Sequence, residues 1–196
     1  MTTGNEPQYE VPTWSEIYEM LLHLSQKIRA NGFKADLIIG ITRGGLVPAR
    51  ILSDLIETQS FSNIQIEYYQ GINQTKKEPI LKQCLTIRLT DKRILLVDDI
   101  SDSGRSLQIA KKHLQQMGAK EIKIATLYAK AASITKPDYC EKLTNKWIVF
   151  PWDAKETVRK ILEKNEGKSS IDSEISYLVK AGLPKHLVEK FLEEML

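Results

Sequence analysis

The sequence predicts an α/β fold, a mostly parallel sheet with helices on both of its faces. Three observations carry that expectation. Short apolar runs alternate along the chain with segments whose apolar residues recur at helical spacing. Two of the runs, at 37–41 and 94–97, are apolar throughout, as strands buried on both faces must be. Each of those two leads into a turn of small residues, Thr42-Arg43-Gly44-Gly45 and Ser101 to Ser106, and then into a helical segment.

The chain has 196 residues, of which 42% are hydrophobic and 27% charged, a globular balance with room for one α/β domain and a small appendage. No apolar run approaches the roughly 20 residues that span a bilayer. The first twelve residues carry neither a basic nor an apolar stretch of the secretory kind, so a cytoplasmic protein without a membrane partner is expected. Cys84 and Cys140 lack metal-ligand or redox spacing. The net charge of +3 is a mild bias, compatible with small polyanionic substrates.

The elements follow in order. Residues 1–12 read as a tail. Thr13 and Glu16 have the spacing of a capping box, and Trp14, Ile17, Leu21, Leu24 and Ile28 recur at helical period up to Asn31-Gly32. After the strand at 37–41 a helix is expected near 46–57, then a strand at 63–69 and a polar loop from Gln70 to Pro79. Residues 84–89 are expected to return antiparallel to 63–69. A strand at 94–97, a helix over about 104–117, strands at 121–129 and 147–150, and a helix from Ala154 to about Asn165 complete the main domain, 1–166. Glu166 to Ser170 reads as a linker. In residues 167–196, Ile171, Ile175, Leu178 and Val179 mark one short helix, and Leu187, Val188, Phe191 and Leu192 a second. Such a hairpin is too small to fold alone and must pack on the main domain or on another subunit.

The chemistry concentrates in residues 94–106, ILLVDDISDSGRS. An apolar strand ends in Asp98-Asp99, and a loop with one glycine and three serines opens a helix. Free backbone N–H groups at a helix N-terminus suit a phosphate. Adjacent carboxylates beside it can hold the vicinal hydroxyls of a sugar or a hard cation.

This stretch resembles the signature of the type I phosphoribosyltransferases. The resemblance implies a five-stranded parallel core with a small hood and a mobile lid. It implies that Asp98 and Asp99 bind the ribose hydroxyls of 5-phosphoribosyl-1-diphosphate and, partly through water, Mg²⁺. It assigns the 5-phosphate to Asp102, Ser103, Gly104, Arg105 and Ser106, and the diphosphate to Thr42, Arg43, Gly44 and Gly45, where the family often has a cis peptide. The 70–80 loop takes the place of the lid, with Tyr68, Lys76 and Lys77 as candidate diphosphate contacts. For the acceptor, the resemblance is to the 6-oxopurine enzymes: Lys130 would donate to the 6-oxo group, Trp147 would stack on the purine, and Ile100, Ile148 and Val149 would complete the base site. Asp102 would manage the proton at N7. Val149 stands where some relatives carry an acid, which leaves hypoxanthine, guanine and xanthine all open. A homodimer or homotetramer is expected, with the terminal hairpin as a contact.

Two other functions compete. One is a phosphoribosyltransferase for adenine or a pyrimidine, against which a lysine donor at the base argues. The other is a non-catalytic, diphosphate-sensing regulator that binds nucleic acid. Its reader would be the terminal hairpin, but Glu189, Glu193 and Glu194 there offset Lys185, His186 and Lys190, whereas DNA contact needs a basic face.

Overall fold

A computed structural model describes residues 9–69, 78–164 and 168–195. In chain order the elements are β1 (Tyr9–Glu10), α1 (Trp14–Ala30), β2 (Leu37–Thr42), α2 (Leu46–Leu55), β3 (Phe61–Tyr69), β4 (Glu78–Gln83), β5 (Arg93–Ser101), α3 (Arg105–Gln116), β6 (Glu121–Ala129), β7 (Tyr139–Leu143), β8 (Trp147–Ile148), α4 (Ala154–Lys164), α5 (Lys168–Lys180) and α6 (Lys185–Glu193). Two compact units divide them, one of residues Tyr18–Thr144 and one of the chain's ends, Met1–Ile17 with Asn145–Leu196. The division expected at 166/167 is not where the contacts separate. The capping box at the start of α1 is formed in both directions: Glu16 N donates to Thr13 Oγ1 at 3.2 Å, and Thr13 N donates to Glu16 Oε2 at 2.7 Å.

In the unit Tyr18–Thr144 a six-stranded sheet runs in the order β4-β3-β2-β5-β6-β7. The five strands from β3 to β7 are parallel and β4 is antiparallel at one edge. Side chains alternate between the faces. Leu37, Ile39 and Ile41 of β2 and Ile94 and Leu96 of β5 join Leu107, Ala110 and Leu114 of α3 in one apolar cluster. Gly40, pointing the other way, lies under Ala49 of α2. Both faces of the sheet are therefore covered, which is why residues 37–41 and 94–97 of its central strands are apolar.

Three expectations about strands change. The strand that returns to β3 is Glu78–Gln83, pairing Ile66 with Leu81 and Tyr68 with Pro79, whereas 84–89 is irregular. Leu85 and Leu89 are buried there and Ile87 is exposed, so the period of two was present without the pairing. The fifth parallel strand is β7, YCEKL, an edge strand too polar to show as an apolar run. The segment 147–150 contributes only Trp147–Ile148 to a strand, and that strand pairs with β1. The expected tail thus supplies a strand of its own. Most of the expected lid lies outside the described residues, Lys76 and Lys77 included.

In the unit of the chain's ends, Val149 and the α4 residues Ala154, Val158 and Ile161 share a core with Leu178, Leu183 and Val188 of the hairpin. Tyr9 Oη donates to Glu174 Oε2 at 2.5 Å, tying β1 to α5, and Lys155 pairs with Glu194. Burial, and then that carboxylate, push the Tyr9 phenol pKa well up. The hairpin buries its apolar faces on α4 and the N-terminal segment, and the residues expected as its linker already belong to α5 from Lys168 onward.

Leu96 is fully buried at the centre of β5. Leu96→Ala should lower the free energy of unfolding by about 2–5 kcal/mol in denaturant titrations. The same truncation at Leu143, 73% exposed at the end of β7, should stay within about 0.5 kcal/mol.

Candidate functional site

Beyond β2 the chain steps to β3 on one side of it, whereas β5, β6 and β7 lie on the other. Ligands of open parallel sheets bind outside the carboxyl ends of the strands at such a switch point. The β2–β5 register, Leu37 with Ile94 through Gly40 with Val97, carries Thr42 and Asp98-Asp99 out to the same end of the sheet. Both expected motifs meet there.

The turn after β2 begins with a cis peptide between Thr42 and Arg43. Thr42 Oγ1 donates to Ile64 O at 3.0 Å and Gly45 N to Ile41 O at 2.8 Å, which holds the turn against its own strand and the next. Gly44 lies so close to Asp99 that a Cβ there would stand 2.0 Å from Asp99 Oδ2. A side chain of any kind at 44 would displace the acid.

Asp98 and Asp99 are both more than nine-tenths buried. Burial, followed by the adjacent charge of Asp99, holds the pKa of Asp98 well above the ordinary carboxylate range. Main-chain N–H groups offset part of this: Asp99 N donates to Asp98 Oδ1 at 3.1 Å and Ile100 N to Asp99 Oδ1 at 2.7 Å. The pair is poised for a ligand that donates hydrogen bonds or carries positive charge. No cluster of three or more acidic, histidine or cysteine ligands occurs among the described residues. Two carboxylates alone suit Mg²⁺, which keeps several waters and takes phosphate oxygens, and do not suit an ion that needs a protein cage.

Gly104, with φ of 78°, turns the chain from β5 into α3. Asp98, Asp99, Asp102, Ser103, Gly104 and Ser106 line one cavity of about 330 Å³, and Tyr68 and Ile100 also border it. Tyr68 Oη accepts from Ser106 Oγ at 3.1 Å and lies 3.4 Å from Ser103 Oγ. The tyrosine expected at the diphosphate therefore reaches the serine loop that opens α3. A hollow of about 430 Å³ bordered by Arg29, Lys34 and Glu57 sits among the loops that precede β2 and β3, away from the paired acids and the glycine turns.

Lys130 follows β6, and its Nζ lies 2.8 Å from Asp102 Oδ1, so the two side chains expected to meet the base form an ion pair. Behind the loop, Ser101 is fully buried and contacts Ser133 Oγ at 2.7 Å, and Thr135 Oγ1 donates to Gly104 O at 2.8 Å. Ser133 and Thr135 escaped the sequence reading because small hydroxyl residues after a strand look like any turn.

Trp147, Ile148 and Val149 belong to the unit of the chain's ends. Trp147 is 54% exposed, so one face of its ring is open. Ile148 and Val149 have buried side chains, and Val149 N already donates to Glu10 O at 2.9 Å. Any contact they make to a ligand runs through carbonyl oxygens. Trp152 stacks on Phe150 at 4.8 Å.

Comparison with known proteins agrees with this geometry. Residues 10–158 match the phosphoribosyl transferase domain family. A xanthine-guanine phosphoribosyltransferase of Nitratidesulfovibrio vulgaris is 32% identical over 158 residues, which is 79% of this chain and 91% of the relative. The crystal structure of a purine phosphoribosyltransferase from Pyrococcus horikoshii superposes with a TM-score of 0.67 at 37% identity, covering 74% of this chain and 93% of that one. A protein from Neisseria gonorrhoeae crystallised with bound ppGpp superposes with a TM-score of 0.68 at 28% identity, covering 76% and 92%. With a family match across most of its length and a relative at this identity and coverage, the chain belongs to the phosphoribosyl transferase family.

Proposed function

We propose that this protein transfers the 5-phosphoribosyl group of 5-phosphoribosyl-1-diphosphate to N9 of a 6-oxopurine, releasing diphosphate. One observation carries the choice of acceptor: Lys130 Nζ and Asp102 Oδ1, 2.8 Å apart at the mouth of the cavity. A 6-oxopurine presents an acceptor, O6, beside a donor, N7–H. An ammonium beside a carboxylate is the complement of that edge. Adenine presents an amino donor where the ammonium needs an acceptor, so the same pair rejects it. The names of the similar xanthine-guanine and purine enzymes point the same way.

In this reading Asp98 and Asp99 hold the ribose hydroxyls. They would also hold Mg²⁺, partly through water, and its positive charge would offset the charge on the departing diphosphate. The N–H groups of residues 103–106 and the α3 N-terminus take the 5-phosphate, and Arg43 with the Gly44-Gly45 turn takes the diphosphate. The purine reacts as its N7–H form. Its N9 lone pair forms the bond to ribose C1, the bond from C1 to the diphosphate oxygen breaks with its electron pair on the leaving group, and the N7 proton passes to Asp102. Trp147 is the proposed stacking ring and the carbonyls at 148–149 the readers of the purine edge. With Val149 wholly buried, no acidic side chain stands at that position. A cytoplasmic homo-oligomer agrees with the absence, among the described residues, of any helix long and apolar enough to cross a membrane.

Incubation of the purified protein with the donor, Mg²⁺ and each base in turn tests the acceptor. Hypoxanthine, guanine or xanthine should be converted to its monophosphate, and consumption of adenine or orotate alone would refute the assignment. Asp102→Ala should lower kcat by about 10²-fold or more with a smaller change in the KM of the donor; an unchanged kcat would remove Asp102 from the chemistry. For Asp98 the sign follows from linkage. Its folded pKa lies above the ordinary value, so folding favours the protonated form, and stability falls as pH rises through that window. Metal-free Asp98→Asn should therefore melt above the native protein at pH 7, with the gap closing towards pH 4, while affinity for the donor is lost. A lower melting temperature at pH 7 would contradict the burial penalty.

A further inference from the structure

A loop that turns its N–H groups towards a phosphate must turn its carbonyls away, and those carbonyls need donors of their own. In this protein the donors come from residues 133–135, immediately after Lys130. Ile134 N donates to Ser103 O at 3.1 Å, and Thr135 Oγ1 donates to Gly104 O at 2.8 Å. The segment is itself anchored beneath the loop. Ser101 Oγ lies 2.8 Å from Thr135 O and 2.7 Å from Ser133 Oγ. Ser133 Oγ also lies 3.1 Å from Thr135 O, so with one proton each the two hydroxyls satisfy the Thr135 carbonyl and each other in either order. Ser101 and Ser133 are 0% and 4% exposed, which places these bonds out of reach of water. No gap separates segment from loop: a Cβ on Gly104 would stand 2.4 Å from Ser133 Oγ and 2.5 Å from Thr135 N.

The same segment is joined to Lys130. Ser133 N donates to Lys130 O at 3.0 Å, Lys130 N donates to Ser101 O at 3.0 Å, and Lys130 Nζ reaches Asp102 within the loop. Residues 130–135 therefore form a strap from the lysine to the floor of the loop.

We propose that Ser133 and Thr135 are positioning residues of the 5-phosphate loop, holding the carbonyls of Ser103 and Gly104 back so that the loop N–H groups face the phosphate. The proposal rests on the reading of residues 102–106 as the 5-phosphate site. Neither residue touches substrate. Their effect is on the affinity for any ligand with a phosphate in that loop, and not on the separate turn that takes diphosphate.

The test is calorimetric titration of the full chain with ribose 5-phosphate and, separately, with inorganic diphosphate and Mg²⁺. Thr135→Val keeps shape and removes the hydroxyl. It should weaken ribose 5-phosphate about five- to tenfold, the worth of one hydrogen bond, and leave diphosphate unchanged. Thr135→Ser should restore the native affinity, and Ser133→Ala should repeat the selective loss by freeing the strap. Native affinity for ribose 5-phosphate in both Thr135→Val and Ser133→Ala would overturn the proposal. Equal weakening of both ligands would also overturn it, since that is what general loosening of the fold produces. If the unaltered protein binds diphosphate but no ribose 5-phosphate, the 5-phosphate reading itself fails and the strap falls with it. If only the variants differ as described, both stand.

Discussion

The pairing of β2 with β5 brings two turns from distant parts of the chain into contact with no space for a side chain between them. Gly44 lies directly against the carboxylate of Asp99, at a distance where a Cβ would overlap its oxygen. That close approach puts the turn after β2 beside the acid pair at the end of β5, where the proposed reading seats the two ends of one ligand. Everything else about the site follows from keeping this junction. Residues 37–41 of β2 and 94–97 of β5 are apolar because both faces of the sheet are covered, and the chain departs in opposite directions from the two strands, which leaves the crevice open.

The junction is electrostatically uncomfortable. Two adjacent carboxylates are withdrawn from water, and one of them resists ionisation. Main-chain N–H groups supply partial relief. In the proposed reading sugar hydroxyls and a hydrated cation would complete the pair, and part of the free energy of ligand binding would then be the release of strain already present in the fold. The ion pair of Lys130 with Asp102 is the milder counterpart, since each partner satisfies the other.

Much of this could be read along the chain. The string from Ile94 to Ser106 states its own local structure: an apolar strand, a pair of acids, and a glycine that turns into a helix, and these are the features that carry the family resemblance. Thr13 and Glu16 formed their capping box because that bond is decided within four residues. By contrast, β7 escaped notice because an edge strand such as YCEKL has solvent on one side and needs no apolar run. Leu85, Ile87 and Leu89 alternate like a strand, yet the backbone of β3 pairs with Glu78–Gln83 instead and Ile87 is exposed, since an alternation of residue types does not by itself choose a hydrogen-bonding partner. Tyr9 and Glu10 looked like a tail because a two-residue strand is specified entirely by its partner, β8.

By itself, then, the sequence determined the α/β class, the strand–loop–helix unit that meets a phosphate, and the identity of the acids, the lysine and the glycine turn. These depend on neighbours a few residues apart, where local propensity and residue chemistry suffice. Only the tertiary structure decided that β2 and β5 are adjacent, that Asp98 rather than an exposed acid bears the burial penalty, that Tyr68 bonds to Ser106, and that Ser133 and Thr135 lie beneath the phosphate loop. Each of those is a contact between segments about 25 to 60 residues apart in sequence, created by strand order and close packing, and no local pattern of residue types encodes them.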